Sequence, residues 1–263
     1  MTTASSTPLL IVSFHRSGSS LTAHMFHAAG LHLGDSLLGA KPSNPYGHFE
    51  DTSAIAFHDR LLRGYDHAWH RDRGPVSMAD VDDLGWIKNY VVAKMIRHKA
   101  FGVKDPRLCL TIRHWQAALG RVNVVFIYRN AMSSITSLWT RALNDHRAGQ
   151  ARALNEILVN EPDMIARIFA HNVTSFLSWY ASLPEGCDNV TFVAYDDIVS
   201  GRRNIVDEAR EKWGYALRSA DVNDFFDGSA VTSSGEWSVG LGDEDLSERI
   251  GELDGRLMEL CAA

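Results

Sequence analysis

The stretch of sequence that decides the fold is LLIVSFHRSGSSLTAHMFHAA, residues 9–29. Its apolar start, Leu9–Val12, predicts a buried strand, and Leu21–Ala29 predicts a helix. The turn between them holds one glycine, Gly18, among several hydroxyl side chains. The N–H groups of such a turn and of the first helical turn converge on one point, where they bind anions. The stretch therefore predicts an anion-binding loop between a strand and a helix.

The side chains of this turn refine the prediction. Arg16 adds a permanent charge with a planar fork of donors, Ser17, Ser19 and Ser20 add hydroxyl groups, and Gly18 allows close approach of an anion. The ATP- and GTP-binding form of the loop has lysine after its last glycine, whereas serine follows Gly18 here. This favours another anionic donor. A serine-rich turn that binds nothing is the alternative, because serine and glycine are common in turns and caps.

Composition sets limits on the rest of the chain. The 263 residues, 45% hydrophobic and 22% charged, fit one α/β domain over 1–263, with 1–8 as a flexible N-terminus. The net charge of −6 argues against a general nucleic-acid binder. The sequence has three widely spaced cysteines and no apolar run of about 18 residues. We therefore expect a cytoplasmic protein without disulfides or an integral membrane segment.

Strands alternate with helices along the chain, which predicts a parallel sheet with helices on both faces, a three-layer α/β fold. Further strands are predicted at Ala100–Val103, Asn123–Tyr128 and Val190–Tyr195. Further helices are predicted at Thr52–Leu62, Trp86–His98, Leu108–Leu119, Ala131–Leu143, about Arg152–Leu183 with an interruption near Pro162, after Asp197 to about Trp213, and Glu244–Leu260. The glycine-rich segment 228–242 is a possible lid over the site or simply a loop.

Cationic side chains follow the predicted strands. Arg16 comes after the first strand, Lys104 and Arg107 after the second, and Arg129 after the third. Ligands of open α/β sheets bind at the carboxyl ends of the strands. This gathering of cations therefore predicts a ligand with at least two anionic groups.

One further pair is suggestive by its spacing. Ser137 lies eight residues after Arg129, about two turns into the next helix, so both side chains could reach one phosphate. The neighbouring hydroxyl residues Ser133, Ser134 and Thr136 have an alternative interpretation, as ordinary residues of a helix start.

These motifs together resemble the sulfotransferases that use 3′-phosphoadenosine-5′-phosphosulfate (PAPS). The loop 14–20 is similar to their 5′-phosphosulfate loop, and Arg129 with Ser137 is similar to their 3′-phosphate motif. Segments 44–50 and 103–107 are similar to segments of bacterial carbohydrate or small-molecule sulfotransferases, and the arrangement of arginine, glutamate and Lys-Asp-Pro also resembles tyrosylprotein sulfotransferases. Segment 193–198 is similar to a late strand end of the PAPS-dependent family. The resemblance implies a P-loop-like fold, PAPS as donor, and donor-binding roles for Arg16, Ser17, Gly18, Ser19, Ser20, Arg129, Ser137 and Tyr195.

The resemblance also implies catalytic roles. Arg16 and Lys104 match the catalytic cations of the family, and Glu50 matches its glutamate base. His48 is the alternative base, because imidazole titrates near neutral pH. An alternative for Glu50 is an acidic residue at a helix start, favoured by the helix dipole. His15 departs from the family pattern, which has proline there.

The sequence thus favours a PAPS-dependent sulfotransferase that acts on a hydroxyl of a carbohydrate, glycolipid or other small molecule. A P-loop-type phosphotransferase and a non-catalytic nucleotide-binding module are the alternatives. We expect no obligatory metal, because the polar group Asp66, His67, His70 and Asp72 has no periodicity that would place it on one face. The acceptor pocket is expected in 32–47, 64–84 and 221–242, where no motif is present.

Overall fold

The predicted parallel sheet is confirmed. The computed structural model describes residues 7–40, 44, 47–64, 70, 81–149, 153–226 and 241–263. Its four strands are all parallel, and their order in the sheet is β2-β1-β3-β4. They are β1 (Leu9–Ser13), β2 (Gly102–Lys104), β3 (Asn123–Tyr128) and β4 (Val190–Ala194).

Helices connect these strands and cover both faces of the sheet. They are α1 (Ser19–Ala29), α2 (Thr52–Gly64), α3 (Val81–Met95), α4 (Leu108–Leu119), α5 (Ala131–Arg147), α6 (Ala153–Asn160), α7 (Pro162–Tyr180), α8 (Tyr195–Val199), α9 (Ile205–Trp213) and α10 (Glu244–Ala262), with a 3₁₀ turn at Val222–Asp224. Among the helices of the described ranges, none is both long and apolar enough to span a bilayer.

The single helix predicted up to Trp213 is instead two helices, α8 and α9. Between them Gly201 has φ 69°, a left-handed conformation that ends a helix. Asn204 then starts α9, because its side chain accepts a hydrogen bond of 3.2 Å from the N–H of Asp207.

Side chains along each strand point alternately to the two faces of the sheet, and this divides the core into two main clusters. In β1, Leu10 and Val12 belong to the cluster that includes residues of α4 and α7, whereas Leu9 and Ile11 belong to the cluster that includes residues of α1 and α9. Successive strand residues point to opposite faces, so a sheet between two helix layers is apolar at every position. Each fully buried aliphatic or aromatic side chain contributes about 1.5–3 kcal/mol.

The strand order determines where a ligand can bind. The chain leaves β1 for β2 on one side and later returns to β3 on the other side of β1. Ligands of open α/β sheets bind at such a reversal, beyond the carboxyl ends of the strands. The loop after β1 and the residues after β3 therefore meet in one crevice. Of the predicted lid 228–242, residues 228–240 lie outside the described residues, as do residues 1–6 of the predicted flexible N-terminus.

Candidate functional site

A cleft lies at the carboxyl edge of the sheet. Its empty volume is about 1010 Å³, including the solvent at its mouth, which is at the upper end of the range for small-molecule sites. Except for Ser17, every donor-binding or catalytic residue that the resemblance implies lines this cleft, together with the alternative base His48. They are Arg16, Gly18, Ser19, Ser20, His48, Glu50, Lys104, Arg129, Ser137 and Tyr195. The fold thus brings together side chains from the ends of all four strands and from α5.

The loop after β1 has an unusual backbone. Arg16 has φ 64° and Gly18 has φ 87°, both in the left-handed region. Left-handed residues within a turn direct successive N–H groups to one side, a geometry that binds anions. Tyr195 packs directly on Gly18, since a β-carbon there would lie 2.7 Å from Cε2 of the tyrosine ring. Glycine is therefore needed at this position for both its φ and its size.

Helix α5 contacts the loop after β1 through two side-chain pairs. The hydroxyl groups of Ser17 and Ser134 lie 3.2 Å apart and are buried, so Ser17 lies behind the loop and not in the cleft wall. Arg16 Nε donates a hydrogen bond of 3.1 Å to Ser137 Oγ. Ser134, which the sequence left open as an ordinary helix-start residue, thus contacts the loop after β1.

Three arginines lie in or near the loop: Arg16, Arg129 and Arg141. The Nη1 atom of Arg129 donates to the carbonyl oxygen of Arg16 at 3.1 Å, and its guanidinium lies 5.1 Å from the ring centre of Tyr195. Arg141 also lines the cleft, one turn after Ser137 on α5. Burial lowers the pKa of Arg16 to about 10, and the charges of Arg141 and Arg129 contribute to this decrease. Arg16 stays charged at neutral pH, so these crowded cations favour a bound anion.

His15 contributes an uncharged ring to the same wall. Burial holds its pKa well below 6.5, and the nearby cations, Arg141 first and then Arg107 and Lys104, act in the same direction. At neutral pH the imidazole is therefore neutral. A neutral imidazole carries one donor nitrogen and one acceptor nitrogen, whereas the proline usual in the related loop has neither.

Glu50 and Lys104 form a buried ion pair in the cleft. Lys104 Nζ donates to Glu50 Oε1 at 2.6 Å, and the two residues are only 3% and 7% exposed, respectively. Glu50 lies two residues before the start of α2 at Thr52. Phe49, just before it, has φ 56°. For a bulky residue such backbone strain costs about 1–3 kcal/mol and is typical of functional sites.

The hydroxyl group of Ser20 has a defined orientation. It accepts hydrogen bonds from Asn44 Nδ2 at 3.1 Å and from Lys104 Nζ at 3.4 Å. Both partners can only donate, so the hydrogen of Ser20 points away from them. Ser20 can therefore donate to an oxygen of a bound ligand.

A buried network fixes the chain after Lys104. The carboxylate of Asp105 accepts bonds from the N–H and Nη1 of Arg107, at 2.8 and 3.1 Å, and from His58 Nδ1 at 2.8 Å. Trp115 Nε1 donates to His58 Nε2 at 2.9 Å, which leaves the imidazole proton on Nδ1. Burial opposes ionisation of Asp105, but Arg107 and His58 hold the pKa of its carboxyl well below the usual value.

Arg107 therefore differs from the sequence-based expectation of a cation at the donor edge. Besides its bonds to Asp105, its Nε donates to Asp59 Oδ1 at 2.7 Å. Two carboxylates thus engage its guanidinium. It lines a second cavity instead of the cleft at the carboxyl edge of the sheet.

Part of the cleft wall is aromatic, and no motif in the sequence predicts these rings in the site. The ring of His24 stacks on Phe49 at 4.7 Å between centroids and meets the edge or face of Phe225 at 4.8 Å. His24, Phe225 and Phe226 line the cleft. A cleft lined by both flat rings and cations suits an amphipathic anion such as a nucleotide. Of the polar group considered for a metal, Asp66, His67 and Asp72 lie outside the described residues.

Comparison with known proteins shows which solved structures have a similar fold. Neither a family model nor a curated protein sequence matches the chain. Among solved structures, a sulfotransferase from Alicyclobacillus acidocaldarius aligns with a TM-score of 0.56 and 13% identity, covering 97% of this chain and 96% of the other. The chain has the sulfotransferase fold.

Two further structures agree with this result. A sulfotransferase from Mycobacterium tuberculosis H37Rv has a TM-score of 0.52 and 14% identity, covering 95% of this chain and 78% of the other. The sulfotransferase domain of the curacin biosynthetic pathway has a TM-score of 0.51 and 10% identity, with coverages of 96% and 98%. The sulfotransferase fold therefore extends over nearly the whole chain.

Proposed function

We propose that this protein transfers a sulfuryl group from PAPS to a hydroxyl group of a carbohydrate, glycolipid or other small molecule. The observation that carries the proposal is the cleft itself. It combines an anion-binding loop crowded by Arg16, Arg129 and Arg141 with a buried Glu50–Lys104 ion pair. A donor with two anionic groups needs the first feature, and the transfer of the sulfuryl group to a hydroxyl group needs the second.

The donor makes two sets of contacts in this proposal. The N–H groups after Gly18, with Arg16 and the hydroxyl of Ser20, bind the 5′-phosphosulfate. Arg129 and Ser137 bind the 3′-phosphate, and Arg141, on the same face of α5 as Ser137, adds a further charge to this end of the site.

The reaction breaks the bond between sulfur and the bridging oxygen of the donor and forms a bond between sulfur and the acceptor oxygen. Negative charge develops on the leaving 5′-phosphate, where Arg16 and Lys104 stabilise it. The acceptor hydroxyl loses its proton to Glu50, and His48 in the same wall is the alternative base. The Lys104 ammonium carries three N–H donors, so it can hold Glu50 and the leaving oxygen together.

Calorimetry with two nucleotides tests the donor site. The desulfated product 3′-phosphoadenosine-5′-phosphate (PAP) has a 3′-phosphate, and adenosine 5′-monophosphate lacks it. Arg129→Ala should weaken PAP binding by about 1.5–3 kcal/mol, roughly 10- to 150-fold, the value of a hydrogen bond to a charged group. Its effect on the monophosphate should be several-fold smaller.

Arg121→Ala is the matched control, because Arg121 is exposed beyond the opposite end of β3 and pairs with Asp188. It should bind both nucleotides as the wild type does. Equal losses for the two nucleotides in Arg129→Ala would contradict the assignment of the 3′-phosphate. Normal PAP binding without sulfate transfer to any acceptor would favour the non-catalytic module.

A further inference from the structure

A second cavity adjoins the donor cleft at Glu50, which lines both. Its empty volume is about 1150 Å³, including the solvent at its mouth, and most of its wall comes from α2. Leu38, Ile55 and Ala56 form an apolar part of the wall, and Arg60 and Arg63 lie on the same helix. A compound in this cavity would therefore lie next to the carboxylate proposed to accept the acceptor's proton.

The charges of this cavity favour an anion. Its two carboxylates each have a cationic partner, since Glu50 contacts Lys104 at 2.6 Å and Asp59 contacts Arg107 at 2.7 Å. Arg60 and Arg63 add two further guanidinium groups, three residues apart on α2 and hence on neighbouring positions of its surface. Among the described residues that line the cavity, three arginines thus face two carboxylates.

We propose that the acceptor is a hydroxylated small molecule with an anionic group, a carboxylate, phosphate or sulfate. This inference rests on the proposed sulfotransferase function. The anionic group binds Arg63 and Arg60, the apolar part of the molecule lies on Leu38 and Ile55, and the hydroxyl group reaches Glu50. Guanidinium groups suit this role because their planar fork matches the oxygens of carboxylates and phosphates.

Binding in this cavity would also position the acceptor for transfer. The sulfur must face the acceptor oxygen within about 3.5 Å for attack, so binding energy away from the hydroxyl serves to position it. Arg63 is in the last turn of α2, where a cation also interacts favourably with the helix dipole. A role in helix stability alone would not depend on the charge of the acceptor, and this difference makes the proposal testable.

The experiment compares acceptors that share one skeleton and differ in charge. One set is 4-hydroxyphenylacetate, tyrosol and tyramine, and the other is 4-nitrophenyl β-glucuronide with 4-nitrophenyl β-glucoside. Transfer of radioactive sulfate from PAPS gives kcat/KM for each compound. In at least one set the anion should exceed its neutral counterpart about tenfold or more. In the double variant Arg60→Ala, Arg63→Ala the loss for that anion should exceed the loss for the neutral compound about tenfold.

Two controls separate this inference from the donor proposal. PAP binding, measured by calorimetry, should be the same in the double variant and the wild type, and Arg121→Ala should keep the preference for the anion. Equal kcat/KM for anion and neutral compound, or a preference that survives in the double variant, would overturn the anionic acceptor. So would transfer to none of the compounds by a protein that binds PAP normally. A wild-type protein that does not bind PAP would instead refute the sulfotransferase proposal itself.

Discussion

Replacing Gly18 with alanine should distort the loop that we propose binds the donor, because two constraints meet at this residue. Its φ of +87° is strained for alanine, and a β-carbon would lie 2.7 Å from Cε2 of Tyr195, and closer still to Cδ2. Carbon atoms in contact are normally about 3.5–4.0 Å apart, so the ring must move by about 1 Å or more. Arg129, whose guanidinium lies 5.1 Å from the centre of that ring, must then move as well.

The expected magnitude follows from these two costs. A left-handed conformation costs alanine about 1–2 kcal/mol, and an overpacked contact adds about 1–3 kcal/mol. We therefore expect Gly18→Ala to lower the free energy of unfolding by about 2–5 kcal/mol, the sum of these two costs. PAP affinity should fall about tenfold or more, since a loss of about 1.4 kcal/mol in binding suffices for this factor.

Gly30→Ala provides a matched control at the other end of α1. Gly30 has φ +109°, but nothing lies within 4 Å of the position of its β-carbon. It should cost about 1–2 kcal/mol of stability through strain alone and leave PAP affinity within about twofold. Urea unfolding without ligand gives the stabilities, and calorimetry gives the PAP affinities. Equal PAP affinity in the two variants would refute the reasoning about the loop.

Three further predictions concern other parts of the site. Glu50→Gln should lower kcat about 10²- to 10⁴-fold, measured with any acceptor the wild type uses, while His48→Gln keeps most activity; the reverse result would make His48 the base. Arg141→Ala should weaken PAP binding about tenfold or more in calorimetry, and Arg147→Ala on the same helix should not. Because the pKa of the Asp105 carboxyl is low in the folded protein, the unfolded chain binds its proton first, and the free energy of unfolding should fall as the pH drops below about 4. Urea unfolding from pH 7 to 3 should show a smaller fall in Asp105→Asn, and an identical pH dependence would contradict this assignment.

The sequence predicts strands well where they are apolar throughout. β3 has the predicted bounds, Asn123–Tyr128, because a strand covered by helices on both faces must be apolar along its length. For β2 the prediction was Ala100–Val103, whereas the strand is Gly102–Lys104. A lysine interrupts the apolar pattern, yet it can be buried here because Glu50, 54 residues earlier in the chain, neutralises it. No local pattern reveals such a distant partner.

The start of α1 shows the same limit at shorter range. The prediction began the helix at Leu21, with the serines in the loop, but the helix begins at Ser19. Ser19 and Ser20 are compatible with either conformation, because serine competes for backbone hydrogen bonds in turns and also occurs in the first helical turn. Gly18, with its left-handed φ, determines the start of the helix, and the sequence does not specify that angle.

The sequence predicts the site residues that belong to known motifs and lie at the ends of strands. It predicts the other residues of the cleft less well. No motif predicts Arg141 as a site residue, because the similarity to the 3′-phosphate motif ends at Ser137. A signal was present, since residues four apart on a helix share a face and Ser137 and Arg141 have that spacing. Phe225 is not marked by any motif, although it lies in the segment 221–242, where part of the acceptor pocket is expected. The engagement of Arg107 by Asp59 and Asp105 likewise depends on tertiary contacts.

The most direct test of the central claim is a calorimetric titration of the wild-type protein with PAP in the presence of EDTA, beside a titration with ATP and Mg²⁺. The cleft has the cations for a bisphosphate but lacks the Gly-Lys pair of ATP-binding loops. We predict one PAP molecule bound per chain with a Kd in the micromolar range or below, about −8 kcal/mol or more negative, and much weaker binding of ATP. Tight Mg²⁺-dependent binding of ATP without binding of PAP would contradict the account and favour a phosphotransferase.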